Sequence, residues 1–193
     1  TETPQDENSP LNPRSIYGIT KAAGYQLVKY YRQQHGLFAC SGIAYNHESP
    51  RRGVEYVTHK ITLSAARIKL GIQHELSLGN MDTQRDWGYA PDYVRAMWLM
   101  LQQDTPDDFV MATGKLHTVR ELCQIAFQHL NLNYQDYVVV DPNFFRPKET
   151  VPLIGNPNKS KITLNWQAEK PFKELIYELI EHDKYRLIKN NSI

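Results

Sequence analysis

Tyr17 and Lys21 stand one helical turn apart in "PRSIYGITKAAGY", residues 13–25, behind a proline and a serine. A phenol titrates near pH 10, so it serves as a base at neutral pH only where positive charge stabilises the phenolate. Lys21 is one such source, and the partial positive charge of a helix start is another. Spacing alone proves little. With 12 tyrosines and 12 lysines in 193 residues, chance gives about 0.7 such pairs, yet the chain holds four: Tyr17/Lys21, Tyr25/Lys29, Tyr56/Lys60 and Tyr185/Lys189. Only the first combines spacing, a helix start and nearby glycines. On residue chemistry by itself, a packed tyrosine above a solvated lysine keeps a slight edge over a catalytic pair.

A second candidate is "YNHESPRRG", which puts Asn46, His47, Glu48, Arg51 and Arg52 into seven residues. Asn46 suits a sugar or phosphate, His47 can pack on a ring, and Arg52 can fork onto a phosphate. A solvated surface loop fits the same residues equally well. Metal binding is not expected, because His47 and Glu48 are adjacent and no third ligand has suitable spacing. His59 and His117 read as surface or locally hydrogen-bonded residues.

The elements that must position these groups follow from periodicity. Ser15 offers an N-cap, Gly36 a stop, and the residues between them run at helical period. Gly18 and Gly24 within that helix suggest a close neighbour. Residues 54–70, the stretch after Pro91, 119–130 and 171–187 read as further helices, with Thr118 and Glu121 as a capping box. Residues 37–45, 74–80, 107–114 and 136–142 read as strands. Alternating strands and helices argue for an α/β fold with a parallel sheet and a segregated C-terminal lobe. In such a fold ligands bind at the carboxyl ends of the strands, where the Asn46–Arg52 segment lies. The polar stretches 1–14 and 143–161 read as loops.

Composition narrows the class. A 41% hydrophobic, 22% charged chain with net charge +1 can bury a core and has no basic footprint for nucleic acid. No apolar run approaches the roughly 18 residues of a membrane span, and no secretory signal is visible, so a cytoplasmic location is expected. Cys40 and Cys123 sit among apolar residues and read as buried free thiols. The first methionine is Met81, which suggests a processed chain or a piece of a longer one.

"PRSIYGITK" resembles the YxxxK segment of extended short-chain dehydrogenases. "YNHESPRRG", "YVTHKI", "SLGNMDTQRDWGYAPDYVRAMWLMLQ", "FVMATG", "FRPKE" and "LNW" are similar to blocks of the GDP-mannose 4,6-dehydratases, in the same order from about residue 13 to 182. The resemblance implies a modified Rossmann fold with a small substrate-binding lobe. Residues 1–53 would be a Rossmann segment, and 54–193 a mixed Rossmann end and GDP-sugar lobe in one compact unit. It also implies NADP as cofactor, GDP-mannose as substrate, and a homodimer or homotetramer.

By position, Tyr17 would be the base, and Lys21 would lower its pKa and hold the nicotinamide ribose. His47 and Arg52 would contact the cofactor. Asn46, Lys60, Arg85, Arg146 and Glu149 would contact the nucleotide sugar. The chain departs from the family at Tyr45, where phenylalanine is usual, at His59, where arginine is common, and at "KETV". No glycine fingerprint occurs among its ten glycines, and the family's proton-abstracting glutamate has no counterpart. The chain is therefore expected to be a C-terminal part that alone binds NADP weakly and turns over nothing. Alternatives are another GDP-sugar epimerase or reductase of this fold, or a non-catalytic truncated module.

Overall fold

Ser15 and Gly36 bound the first helix as their chemistry requires. The Ser15 hydroxyl accepts the Gly18 N–H at 3.0 Å, and Gly36, at φ 62°, closes α1 (Ile16–His35) with its N–H on Tyr31 O. The computed structural model describes residues 3–145 and 151–190. No residue of α1 is buried. The neighbour suggested by Gly24 is not there, since nothing stands within 4 Å of a Cβ built at that position. At Gly18 only the capping turn, Pro13 and Ser15, is close.

The four expected strands form as β1 (Ser41–Ala44), β3 (Leu76–Leu78), β6 (Asp108–Met111) and β8 (Val138–Val140). They pair in parallel, β1 with β6 from Ser41↔Asp108 to Ala44↔Met111, and β3 with β8 from Leu76↔Val138 to Leu78↔Val140. Four further strands lie in stretches that read as loops or turns: β2 (Asn46–Glu48), β4 (Gln84–Arg85), β5 (Trp87–Tyr89) and β7 (His117–Thr118). β2 runs parallel to β5, and β4 runs antiparallel to β7. A short helix, α5 (Asn158–Thr163), also lies inside a segment that reads as loop.

Two cores hold these pieces together. α2 (Val57–Lys69), α4 (Val119–His129) and α6 (Phe172–Asn190) bury Ile61, Leu122, Phe127 and Ile176 against Leu76 and Trp87, whose ring stacks on Phe172 at 5.7 Å. α3 (Ala90–Met100) packs Tyr93 and Met100 against Phe109, Met111 and Trp166. The Trp166 indole N–H donates to Asp92 O at 2.8 Å, satisfying the one polar group of a fully buried ring. The capping box forms by half: Thr118 Oγ1 accepts the Glu121 N–H at 2.9 Å, while the Glu121 carboxylate turns to His117 Nδ1 at 3.0 Å. Cys123 is buried and its thiol is pushed up to about 12 by desolvation, whereas Cys40 is half-buried. Among the described residues no helix is long and apolar enough to cross a membrane.

Buried Asp86 locks β5 to the segments beside it. Its carboxylate accepts from Thr113 N–H at 2.9 Å, Thr113 Oγ1 at 2.6 Å, Gly114 N–H at 3.0 Å and Gly155 N–H at 3.3 Å. Gly155 is there because nothing larger fits: a Cβ would meet Ala112 Cβ and lie 2.8 Å from the Tyr45 ring. Gly155→Ala is expected to cost about 2–3 kcal/mol by overpacking. Chemical denaturation measures this, and a loss under about 1 kcal/mol would mean that the junction yields easily.

Candidate functional site

Tyr17 lies in the first turn of α1 and is 71% exposed, with Lys21 Nζ 5.4 Å from its ring centroid. The stacking is not distinctive. Lys29 sits 5.5 Å from the Tyr25 ring and Lys189 6.0 Å from that of Tyr185. What differs is position. Farther along α1, Tyr25 Oη donates to Asp108 Oδ2 at 3.0 Å and Arg32 Nη2 to Asp108 Oδ1 at 2.6 Å. Burial, then the Asp108 carboxylate, pushes the Tyr25 hydroxyl above its ordinary value and keeps it a donor. Asp108 begins β6 and pairs with Ser41 at the start of β1, so these contacts fix the later part of α1 at the amino ends of the strands. The helix spans about 30 Å; Tyr17 and Lys21 lie in its opening turns, away from these contacts, while β1 and β6 have their carboxyl ends at Ala44 and Met111.

From those ends the chain continues into β2. His47 is half-buried, its Nδ1 bonded to Tyr45 O at 2.8 Å and its ring 5.1 Å from that of Tyr93. A carbonyl only accepts, so Nδ1 carries the proton of this contact. Asn46 is exposed and pairs with Trp87. Glu48 is the surprise: read from sequence as one polar loop residue among several, it is 1% exposed. Burial pushes its carboxyl above the usual carboxylate range, while the Thr58 hydroxyl at 2.7 Å and the Arg52 cation pull it back. Arg52 Nε stands 3.3 Å from Glu48 Oε2, an ion pair without hydrogen-bond alignment, and the guanidinium lies over Tyr56, 3.5 Å from the ring centroid. Arg52 is thus held from two sides, in a pose suited to a phosphate.

A third group forms around Lys60 on α2. Its ammonium donates to Ser77 O at 2.8 Å and lies 4.4 Å from the Phe144 ring. An open groove of about 420 Å³ runs beside it, lined by Lys60, Ser64, Arg67 and Ser77 among others. Gly79 lets the 142–144 turn come close, since a Cβ there would meet Phe144 O. That turn leads straight to Arg146 and Glu149, both of which lie outside the described residues. Arg85, half-buried in β4, donates from Nη1 to Gln84 O at 2.6 Å and stands two residues before Asn46's partner Trp87. Among the described residues no cluster of three His, Cys, Asp or Glu side chains is placed to hold a metal.

His59, read as a surface or locally hydrogen-bonded residue, is not at the surface but 4% exposed, and it is hydrogen-bonded at both ring nitrogens, one of them to nearby Arg52 O. One partner, Asp183, is 124 residues away, beyond any local signal.

The model of the family described as GDP-mannose 4,6 dehydratase matches residues 1–179. The Arabidopsis thaliana protein GDP-mannose 4,6 dehydratase 2 is 49% identical over 95% of this chain and 49% of its own length. The Dictyostelium discoideum and Homo sapiens GDP-mannose 4,6 dehydratases are each 44% identical, over 99% and 94% of this chain and 58% and 54% of their own. The chain thus spans about half the length of the curated relatives it matches. Among solved structures, RMD from Pseudomonas aeruginosa complexed with NADPH superposes with a TM-score of 0.88 at 21% identity, over 95% of this chain and 61% of that one. The Bacillus anthracis dTDP-glucose 4,6-dehydratase in complex with NAD gives 0.78 at 20%, over 95% and 56%. These two share its Rossmann-type short-chain dehydrogenase fold. Matched along nearly its whole length by that family model and by relatives of the same name, the chain belongs to the GDP-mannose 4,6 dehydratase family.

Proposed function

We propose that this chain contributes the sugar-nucleotide side of an enzyme that dehydrates GDP-mannose to GDP-4-dehydro-6-deoxy-D-mannose with bound NADP. The observation that carries this is identity of 41–49% to proteins named for that dehydration, over most of the chain. NADP, when bound, accepts and returns the hydride. Arg52, braced by Glu48 and Tyr56, and His47, with its free Nε2, fit the phosphate and ring contacts such a cofactor needs. Tyr17, as the phenolate that Lys21 stabilises, takes the proton of the sugar C4 hydroxyl and becomes the neutral phenol. Asn46, Lys60, Arg85, Arg146 and Glu149 bind the nucleotide sugar, the cations facing the diphosphate. Residues 1–53 serve as the Rossmann segment and 54–193 carry the sugar-nucleotide lobe. The uncovered apolar face of α1, with Ile19, Leu27 and Tyr30 all more than half exposed, supports completion by a further Rossmann portion and assembly as a homodimer or homotetramer.

A GDP-sugar epimerase or reductase draws support from structures about 20% identical, which speak for the fold and not the reaction. Dehydration therefore stands ahead. The test joins the chain to the amino-terminal half of the Arabidopsis thaliana relative. The joined protein should release the 4-keto product from GDP-mannose and the 193-residue chain alone should not. Lys60→Ala should weaken GDP-mannose binding about tenfold by calorimetry. A joined protein that folds, binds GDP-mannose and yields only a C4 epimer would sink the reading.

A further inference from the structure

His59 makes two contacts that one proton cannot satisfy. Nδ1 lies 2.5 Å from Arg52 O and Nε2 lies 2.9 Å from Asp183 Oδ1. A carbonyl oxygen only accepts, and so does an ionised carboxylate. The other Asp183 oxygen, Oδ2, stands 2.9 Å from the Thr62 hydroxyl, which also lies 3.2 Å from His59 O. A neutral imidazole would turn a lone pair toward one of these acceptors inside the protein, where an unmatched polar contact is costly. Both contacts close only when the ring carries both protons. The ring then joins three elements: α2, which bears it, α6, which bears Asp183, and the loop that bears Arg52.

We propose that His59 is the positioning residue of the Arg52 loop, latching it as imidazolium and releasing it on losing a proton. The proton that leaves is the one on Nδ1, because the Asp183 carboxylate holds the other. What opens is therefore the contact with Arg52 O, while α2 and α6 stay joined. The hydrogen bond to Asp183, set against burial, holds His59 above the ordinary imidazole range. The other charged groups facing the pair are Arg186, which lowers it, Glu48, whose carboxyl it in turn lowers, and His182, whose Nδ1 is 3.8 Å from Asp183 Oδ1. A raised folded value gives stabilisation that is full below about pH 6.5, the unfolded value, and is lost as pH rises through the folded one. For cofactor binding the inference rests on the reading that Arg52 contacts NADP; for the loop itself it does not.

Nitrogen NMR of the His59 ring and amide exchange at Arg52 and Tyr56, on the 193-residue chain across pH 5–9, test it directly. The ring should be doubly protonated at pH 6, and protection of both amides, corrected for intrinsic exchange, should fall about tenfold through the ring's own midpoint. His59→Arg, a permanent cation, should keep that protection flat with pH, and Asp183→Asn should move the ring midpoint down. A neutral ring at pH 6, protection that ignores the ring midpoint, or the same fall in His59→Arg would each overturn the latch. If His59→Arg does not fold, the shared midpoint of ring and amides in the unaltered chain decides. NADP affinity should weaken through that midpoint. Should the amides follow the ring while NADP affinity does not, the latch stands and Arg52 is no cofactor contact.

Discussion

Asp86→Ala is expected to cost about 3–5 kcal/mol, a large share of the stability of a domain this size. Four donors converge on a carboxylate that is 1% exposed, and three of them are backbone N–H groups that cannot turn elsewhere. Removing the acceptor leaves the buried Gly155 N–H and the half-buried N–H groups of Thr113 and Gly114 unmatched, which weighs more than the loss of the bonds themselves. Asp86→Asn should fall between, since the amide keeps one acceptor oxygen but aims N–H groups at N–H groups. Thr113→Val, which deletes the hydroxyl donor to Asp86 and the exposed acceptor of the Lys115 N–H, should lose about 1 kcal/mol. Urea midpoints for the three variants give this order directly, and an Asp86→Ala loss no larger than that of Thr113→Val would refute the convergence argument. A second readout is Tyr45, whose hydroxyl is pushed up to about 12 by burial and then by the Asp86 charge. Its midpoint should drop in Asp86→Asn.

Tyr17→Phe is expected to lower turnover of the joined protein about 10²- to 10⁴-fold, the range for loss of a positioned acid–base group. Stability should stay within about 0.5 kcal/mol, because the hydroxyl belongs to a side chain 71% exposed. That contrast is the useful part. Tyr25→Phe, on the same helix, removes a hydrogen bond to Asp108 and should loosen α1 as well as slow turnover. Unchanged turnover in Tyr17→Phe would take Tyr17 out of the chemistry and leave the pair as a stacked tyrosine and lysine.

The helices were legible because their signals are local. Ser15, Gly36 and Thr118 each do what their side chains or φ freedom allow, within five residues of the groups they serve. The long parallel strands were legible as apolar runs. β2 and β5 were not, since "NHE" and "WGY" are strands only by virtue of each other, 41 positions apart. Glu48 and His59 failed to show for the same reason. Their polarity reads as exposure until Thr58, Arg52 and Asp183 close around them. For the site, the motifs placed Tyr17 and Lys60 on helices that do form, whereas His47, read in a loop, lies in β2 and Arg52 in the loop after it. Of the braces behind them, Glu48 lies four residues from Arg52 but shows its role only on burial, while Asp108 and Asp183 come from distant parts of the chain that no spacing rule connects.

The Asp108 contacts make α1 a lever. Tyr25 is the nearer fulcrum, and Tyr17 lies eight residues beyond it, about 12 Å along the axis. A tilt of about 10° at the fulcrum swings Tyr17 by about 2 Å, and about 1 Å of misplacement is enough to cost a hundredfold in rate. Two hydrogen bonds at one carboxylate resist rotation poorly in the direction that no core residue opposes. The accuracy of the candidate base is therefore set by whatever braces the free arm of the lever, and surface changes along Ile16, Ile19 and Leu27 should act on rate as errors of aim.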